Sequence, residues 1–562
     1  MDINEKIQNH ISSIYEELSK QNAFNYLKVI QNRHSFYDSS ERQKRYSFNQ
    51  IEHFLEWVKI NFINVFLSKY GLKIGFIDLI DVNKNSAQVK ITIRDPFPEM
   101  QNSTPNNLQL VLRKEISNLS DNNYQKMKNC GINIPSLRFV RQTRYIMNDQ
   151  FQAMQNSHGT YYELKQKLVH YLNSFDNHKA IKNNIINIRL AGDGTNVAKQ
   201  FSVFNFTFSF IDKLNFKYDA DPKTESGNFV LGTFKIKKES YEEIKLCLDE
   251  INSELSRLNE IVFKDVTYKI SYKLGGDLKF LSLVLGVNAA NSQYPCPFCK
   301  ANKKDFANFQ TNYAKRVFGD GLVKYGEGQV KNPILSFVKT DDIIVDVLHL
   351  FLRISDRLID LLFEELNNLD LTYSSDLSDR PNLKQYVDFL DQINIKKPYY
   401  IGIKQNIFLR NLNGTEKEKL FDHINLTDFH SLSHNIEKNE LWVDFYNILN
   451  IAKNQNIVPS LLGEKTGEWL TKFINLYGSS EITPYIHIFG SHFHKQYEYL
   501  KKNDIGINTF SMQGLEYMNN SLTRYFHSGT NKKSYPDCDI LTQISKKRNR
   551  IEMLRHDDNY FE

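Results

Sequence analysis

Cysteine is scarce in this chain. The 562 residues hold five, Cys130, Cys247, Cys296, Cys299 and Cys538, and only one pair is closely spaced. That excludes a disulfide framework and leaves a lone C-x2-C to be read as metal-binding or redox. Long apolar runs are missing too. The most apolar stretch of helical length, Ile343 to Leu362, carries Asp346, Arg353, Asp356, Arg357 and Asp360, a charge density that no membrane span tolerates. The opening MDINEKIQNH lacks the apolar segment of a secretory signal, so a soluble intracellular protein without a membrane partner is expected. Neither sign of charge dominates: a net +6 permits nucleic-acid binding without arguing for it. No internal repeat is visible from about 303 to 480. What is present in quantity is hydrophobic residues, 41%, and aromatics, 13%, enough to fill real cores. The length implies about two to four domains.

Read in order, residues 1 to about 75 are helical in pattern, with Ile51, Phe54, Leu55, Val58, Phe62 and Val65 at helical spacing. Val89, Ile91 and Ile93 alternate with Lys90 and Thr92 as a short strand, and a Pro- and Asn-rich stretch, Pro96 to Asn107, resembles a linker. Pro135 and Ser136 can start a helix whose face carries Arg138, Arg141 and Arg144. That face is either a solvated surface or a track for DNA phosphates. From Ile185 the texture changes. Ile185 to Leu190 reads as a strand that ends in A-G-D-G-T, with Asp193 at its tip. Phe204, Phe206, Phe208 and Phe210 alternate with polar residues as a half-buried strand, and Phe229 to Ile236 makes a third. Ser240 and Glu243 form a capping box for a helix through Leu258. Val266, Tyr268, Ile270, Tyr272 and Leu274 alternate as a fourth strand that delivers Asp277. Strands, a helix and a further strand make an α/β pattern. From about 303 to 480 the pattern is mostly helical, and the tail holds a basic K-K-R-N-R run, Lys546 to Arg550, read as a targeting or backbone-binding patch.

Two constellations carry chemistry. Cys296 and Cys299 match the first half of a C-x2-C…H-x4-H zinc pattern, and His487 with His492 match the second, because short loops let paired donors meet one tetrahedral ion. His494 is a rival for the last position. The bland alternative is a pair of buried thiols with unrelated histidines. Asp193 and Asp277, at the ends of two strands, are suited to holding a pair of Mg²⁺ or Mn²⁺ ions roughly 3.5–4 Å apart for phosphodiester chemistry. The alternatives are a D-G hairpin turn for Asp193 and a turn residue or helix N-cap for Asp277.

The order of these motifs resembles the RNase H-like core of DDE transposases, and among them the Transib transposases and the catalytic chain of the V(D)J recombinase. The resemblance runs from about 185 to 535. It rests on D-G-T-N-V-A-K before Q-F-S-V-F-N-F-T-F, on Asp277 ahead of the Cys296–Cys299 pair, on the helical stretch before His487-x4-His492, and on Glu516 with Asn519 beyond it. V-L-H-L, Val347 to Leu350, resembles an A-L-H segment in the insertion of that group, though a core-lining helix histidine explains it equally well. The resemblance implies an α/β-plus-α fold: a mixed-sheet RNase H-like core interrupted by a large helical insertion, after a mainly helical N-terminal region. The expected division is an N-terminal domain at 1–105 and a helical pre-core region at 106–180. The first part of the core at 181–302 follows, then the insertion at 303–485, the zinc histidines and final glutamate at 486–535, and a basic tail at 536–562. It further implies that Asp193, Asp277 and Glu516 are catalytic ligands of two Mg²⁺ or Mn²⁺ ions and that Cys296, Cys299, His487 and His492 hold a structural Zn²⁺. The activity implied is nicking and strand transfer, with hairpin formation on one side of the break, on double-stranded DNA bearing terminal inverted repeats. The expected agent is a nuclear homodimer or higher oligomer. Arg524 and His527, beyond Glu516, and Lys532 and Lys533 after them extend the candidate DNA contacts of Arg138, Arg141 and Arg144. Two rivals stand beside this reading: a silent, zinc-containing DNA-binding descendant, and an RNase H-like nuclease that never joins strands.

Overall fold

The computed structural model describes the strands 76–80 and 88–92 and residues 107–173, 181–199, 201–212, 220–308, 313–319, 325–370, 376–396, 398–402, 407–529 and 537–556. The helices expected before residue 75, nearly all of the Pro/Asn-rich stretch, and Lys532 and Lys533 lie outside them. The chain divides into two compact units, 1–119 and 120–562. The first holds the antiparallel pair β1 (Phe76–Ile80) and β2 (Gln88–Thr92) and the helix α1 (Asn107–Ile116). β2 is the short alternating strand expected near Val89.

The second unit begins with α2 (Asp121–Asn129), α3 (Leu137–Gln150), β3 (Met154–Gln155), β4 (Gly159–Tyr161) and α4 (Leu164–Asn173). Then come β5 (Ile185–Ala198), β6 (Phe201–Phe210), β7 (Phe229–Ile236), α5 (Tyr241–Leu255), β8 (Glu260–Phe263), β9 (Val266–Gly276) and α6 (Leu278–Leu285). β5, β6 and β7 form an antiparallel meander, and β9 returns parallel to β5. A last short strand, β10 (Ile343–Val345), runs parallel to β9, so the path across the sheet is β10-β9-β5-β6-β7-β4-β3, with β8 pairing onto β9. The parallel return to β9 needs a crossover, and α5 provides it. This is the mixed-sheet, RNase H-like core with helical insertions that the sequence leads one to expect.

Local chemistry accounts for much of it. The Ser240 side chain accepts from Glu243 N at 3.4 Å, as a capping residue should. The reciprocal half of the capping box is not made; the Glu243 carboxylate takes Lys237 N instead. β6 corrects the expectation of a half-buried strand: Asn205, Thr207 and Ser209 are as fully buried as the phenylalanines between them. The phenylalanine face packs into the main core with Ile244, Leu248 and Phe280. The polar face is covered as well, and its groups find partners there: Asn205 reaches Asn519, Thr207 the Ala191 carbonyl, and Ser209 lies in a cluster with Asn228 and Arg189. A central strand covered on both faces keeps its period of two but uses the polar half for specific bonds.

The insertion also departs from expectation at its start. Among the described residues, those of 303–342 carry only single-turn helices, and Ile343–Val345 rejoins the core sheet before α7 (Val347–Leu369) begins. Three residues are too short for periodicity to separate from the apolar helix that follows. Beyond α7 come α8 (Pro381–Gln392), the antiparallel pair β11 (Tyr399–Ile401) and β12 (Ile407–Leu409), α9 (Gly414–His423), α10 (Asn435–Lys453) and α11 (Pro459–Tyr477). The chain then returns through α12 (Pro484–Ser491) and α13 (Phe493–Lys502) to α14 (Gln513–Gly529) and α15 (Asp537–His556).

The expected basic tail is a second correction. Its K-K-R-N-R run lies within α15, which packs on β7, β4 and α3, and Lys547, Arg548 and Arg550 are buried. Arg548 pairs with Glu225 and Glu552 and donates to the Glu225 and Asn228 carbonyls, while Arg550 donates to Asn148 at 3.0 Å. Glu552, itself buried, meets the buried Lys167 at 2.9 Å. Arg548 and Arg550 are therefore spent on anions and carbonyls, most of them supplied from far away in the chain. Uncompensated, such charges could not be buried.

Candidate active site and metal centre

Asp193 sits well inside β5, opposite Asn205 of β6, because strand pairing continues through Gly192, Asp193 and Gly194 to Ala198. The D-G pair is therefore not a hairpin turn, and Asp193 is not at the tip of the strand. Gly192 is required by what covers it: a Cβ there would come within 2.6 Å of Phe280 and 2.8 Å of Phe204. Asp277 follows the last residue of β9 and caps α6, its Oδ1 accepting from Phe280 N at 2.7 Å. The N-cap alternative for Asp277 is thus real, and it does not exclude the other role, since the second carboxylate oxygen is not used by the cap. Glu516 stands in the first turn of α14.

Asp193, Asp277 and Glu516 line one cleft, together with His349, Gly192, Met512 and Leu515. Sequence reasoning singled out His349 only as half of a V-L-H-L match and missed its partner. Asp346, fully buried, caps α7 by accepting from Leu348 N at 2.8 Å, receives Met512 N at 3.0 Å, and hydrogen-bonds His349 Nδ1. One carboxylate thereby ties the start of the insertion helix to the segment leading into α14, and turns His349 Nε2 toward Glu516 Oε1, 4.0 Å away. Glu239 is a further acid near the cleft that no sequence signal revealed. A Cβ on Gly194 would lie 3.0 Å from its carboxylate, and Glu239 is neutralised by Lys279.

The electrostatics are those of crowded anions. Burial, then the Glu516, Asp277 and Glu239 carboxylates, push Asp193 up to about 8, with His349 offsetting part of the rise. Burial raises Glu516 as well, against the pull of His349, and Asp346 and Asp277 add to the rise. Burial would lower His349, but Asp346, then Asp277 and Glu516, outweigh it and raise the imidazole to about 9, so it is a cation at neutral pH. Carboxylates held together against their own repulsion, with a single imidazolium among them, make a donor set that suits hard divalent cations.

The second constellation is tighter. One donor atom from each of Cys296, Cys299, His487 and His492 lies within 4.8 Å of the others. Cys299 Sγ is 3.3 Å from both imidazole Nε2 atoms, Cys296 Sγ is 3.5 Å from that of His492, and the two Nε2 atoms are 3.2 Å apart. Bonds of about 2.3 Å to sulfur and 2.0–2.1 Å to nitrogen at tetrahedral angles put donors roughly 3.3–3.8 Å apart. The four side chains therefore fit one zinc ion. Hydrogen bonding from Cys296, then from the two histidines, draws the Cys299 thiol down against the effect of burial, and burial keeps His487 neutral. Both are the forms a metal takes, whereas burial, then Cys299, raises the Cys296 thiol, whose proton a metal would have to displace. His487 also stacks on Phe306, ring centroids 4.0 Å apart. His494, the rival ligand, lies against Gly463 instead.

The candidate DNA contacts are more dispersed. Ser136 caps α3 as expected, accepting from Phe139 N at 3.1 Å. Arg138 and Arg141 are exposed and Arg144 is half-buried. Arg141 and Arg144 share Asp121, at 3.1 and 2.9 Å. Arg524 is exposed on α14. His527 Nε2 is 2.8 Å from the Val197 carbonyl oxygen and donates to it.

No protein-family profile matches the chain, and no curated protein matches it. Among solved structures, it is similar to a Drosophila P element transposase strand transfer complex, with 12% identity and a TM-score of 0.37, covering 82% of this chain and 95% of that one.

Proposed function

We propose that the chain is a DNA transposase or recombinase that nicks DNA and joins the freed end to another strand. The observation that carries this reading is the cleft. Asp193, Asp277 and Glu516, on β5, at the end of β9 and on α14, line one pocket although nothing local in the sequence brings them together. Their role is to hold two Mg²⁺ or Mn²⁺ ions. Bound there, such a pair supplies activation of the attacking oxygen and neutralisation of charge on the leaving oxygen. The chain's own groups bind and orient the DNA. His349, cationic and fixed by Asp346, offers its Nε2–H to a phosphate oxygen at the cleft. Arg138, Arg141, Arg144, Arg524, His527, Lys532 and Lys533 contact the backbone, which positions the duplex without reading its sequence. Zn²⁺ at Cys296, Cys299, His487 and His492 is structural. The substrates on this reading are double-stranded terminal inverted repeats and a target duplex, handled by a homodimer or higher oligomer in the nucleus.

The test is incubation of the purified chain with supercoiled plasmid and with an oligonucleotide duplex in Mg²⁺ or Mn²⁺. Nicks and joined products are expected. Nicks without joined products leave the nuclease, and binding without either leaves the silent descendant. A second test concerns affinity. Changing Arg138, Arg141 and Arg144 together to Gln should weaken binding about equally on all sequences and reduce the slope of log K against log salt by about one to three. Sharing Asp121 places the result toward the lower end. An unchanged slope would make α3 a solvated face only.

A further inference from the structure

We propose that Asn205 is a positioning residue of the acid cleft, acting through Asn519 to hold the Asp193 carboxylate in fixed relation to Glu516. The inference deepens the proposed reading and rests on it only for the catalytic consequence. Asn205 lies on β6 directly opposite Asp193 and is fully buried. Asn519 is on α14, three residues after Glu516, with 3% of its surface exposed. Residues so spaced share a helix face, so whatever pins Asn519 also sets the rotation of the helix that carries Glu516.

Two short hydrogen bonds do the pinning. Asn519 Nδ2 donates to Asp193 Oδ2 at 2.6 Å, and Asn205 Nδ2 donates to Asn519 Oδ1 at 2.6 Å. Their direction is forced from one end. A carboxylate that holds a metal is ionised and only accepts, so for the metal-bound site Asn519 must turn its NH2 to Asp193 and its carbonyl away, which is the arrangement seen here. That carbonyl then needs a donor, which the Asn205 amide supplies. The arrangement leaves Asn205 Oδ1 buried with no protein partner, an arrangement that costs stability. The other polar groups on the same face of β6, Thr207 and Ser209, both donate to a partner. A residue chosen for the strand alone would not carry that orphan. It follows once the amide is required as a donor to Asn519. Groups that orient a metal ligand from behind in this way commonly matter about 10–100-fold in metal affinity or activity.

The experiment titrates Mn²⁺ into the full chain by calorimetry and, in parallel, measures plasmid nicking over the same Mn²⁺ range. Asn205→Ala should raise the Mn²⁺ midpoint about 10–100-fold while lowering the saturated nicking rate less. Asn519→Ala should do the same, and the double variant should be no worse than the weaker single, because the two bonds act in series. An unchanged midpoint, a fall only in the amount of folded protein, or additive losses would overturn the relay. Should Asn205→Ala not fold, Asn205→Ser breaks the same bond with a smaller polar group; its failure to fold too would make Asn205 purely structural. A wild-type chain that binds Mn²⁺ but does not nick defeats the catalytic reading and leaves the calorimetric shift to decide the relay. A wild-type chain that binds no Mn²⁺ overturns both.

Discussion

Cys296→Ser should release one equivalent of zinc and sharply lower the melting temperature of residues 120–562. The four donors come from two segments that the insertion separates: the loop after α6, and α12 with its C-cap His492. A structural zinc is worth on the order of 10 kcal/mol of folding free energy at neutral pH, against a net stability of about 5–15 kcal/mol for a folded protein. Removing one thiolate leaves three donors around a position fitted for four, so most of that free energy is lost. Elemental analysis and a thermal melt of the wild type, the variant and the chelator-treated protein read the effect. Wild-type protein purified without zinc, or a variant that melts with the wild type, would defeat the assignment.

The zinc centre should also govern the cleft, because α12 serves both. Its His487 faces the metal position, and its Tyr485 oxygen accepts from Leu278 N at 3.1 Å, the residue after Asp277. Loss of zinc at one end of this short helix frees the tyrosine that steadies the N-terminus of α6, where Asp277 is the cap. Metal-dependent nicking should then fall in Cys296→Ser protein even at temperatures where it remains folded.

The parts of this architecture that were legible in the sequence are those set by short-range rules. The bounds of β7 follow from its apolar run, the start of α5 from Ser240, and the grouping of Cys296, Cys299, His487 and His492 from two short spacings. What was hidden depends on partners distant in the chain. A D-G pair reads as a turn, and only pairing with β6 shows that Asp193 lies inside a strand. K-K-R-N-R reads as an exposed patch, and only Glu225, Asn148 and the distant Lys167–Glu552 pair explain its burial. Asp346 reads as a charge that interrupts an apolar helix, whereas it caps α7 and holds both His349 and Met512. The polar residues of β6 read as a solvent face, whereas Asn205 meets Asn519 of α14, Thr207 the Ala191 carbonyl, and Ser209 the Asn228 and Arg189 side chains.

Asp193→Asn, Asp277→Asn and Glu516→Gln should each abolish Mg²⁺-dependent nicking and spare DNA binding. Each change keeps the shape and removes an anionic ligand. If one lost ligand forfeits several kcal/mol of transition-state stabilisation, about 4 kcal/mol corresponds to roughly a thousandfold in rate. Binding should hold or tighten, since an anion that repels phosphate has gone. A third measurement separates loss of chemistry from loss of fold. Burial and three neighbouring carboxylates raise Asp193 to about 8 from an ordinary 3.8. Below the ordinary value the carboxyl is protonated in folded and unfolded chains alike and costs nothing. As pH rises from there to about 8 the unfolded chain gives up its proton more readily, so the metal-free wild type loses stability across that window. Asp193→Asn has no such proton to lose. Relative to wild type it should therefore gain thermal stability as pH rises from about 4 to 8, with no gain at the acid end, and divalent metal should restore stability to the wild type only. Nicking that persists in the three variants would defeat the catalytic assignment. Nicking lost together with a lower melting temperature at every pH would place these carboxylates in the scaffold instead, and the silent DNA-binding descendant would be the better reading.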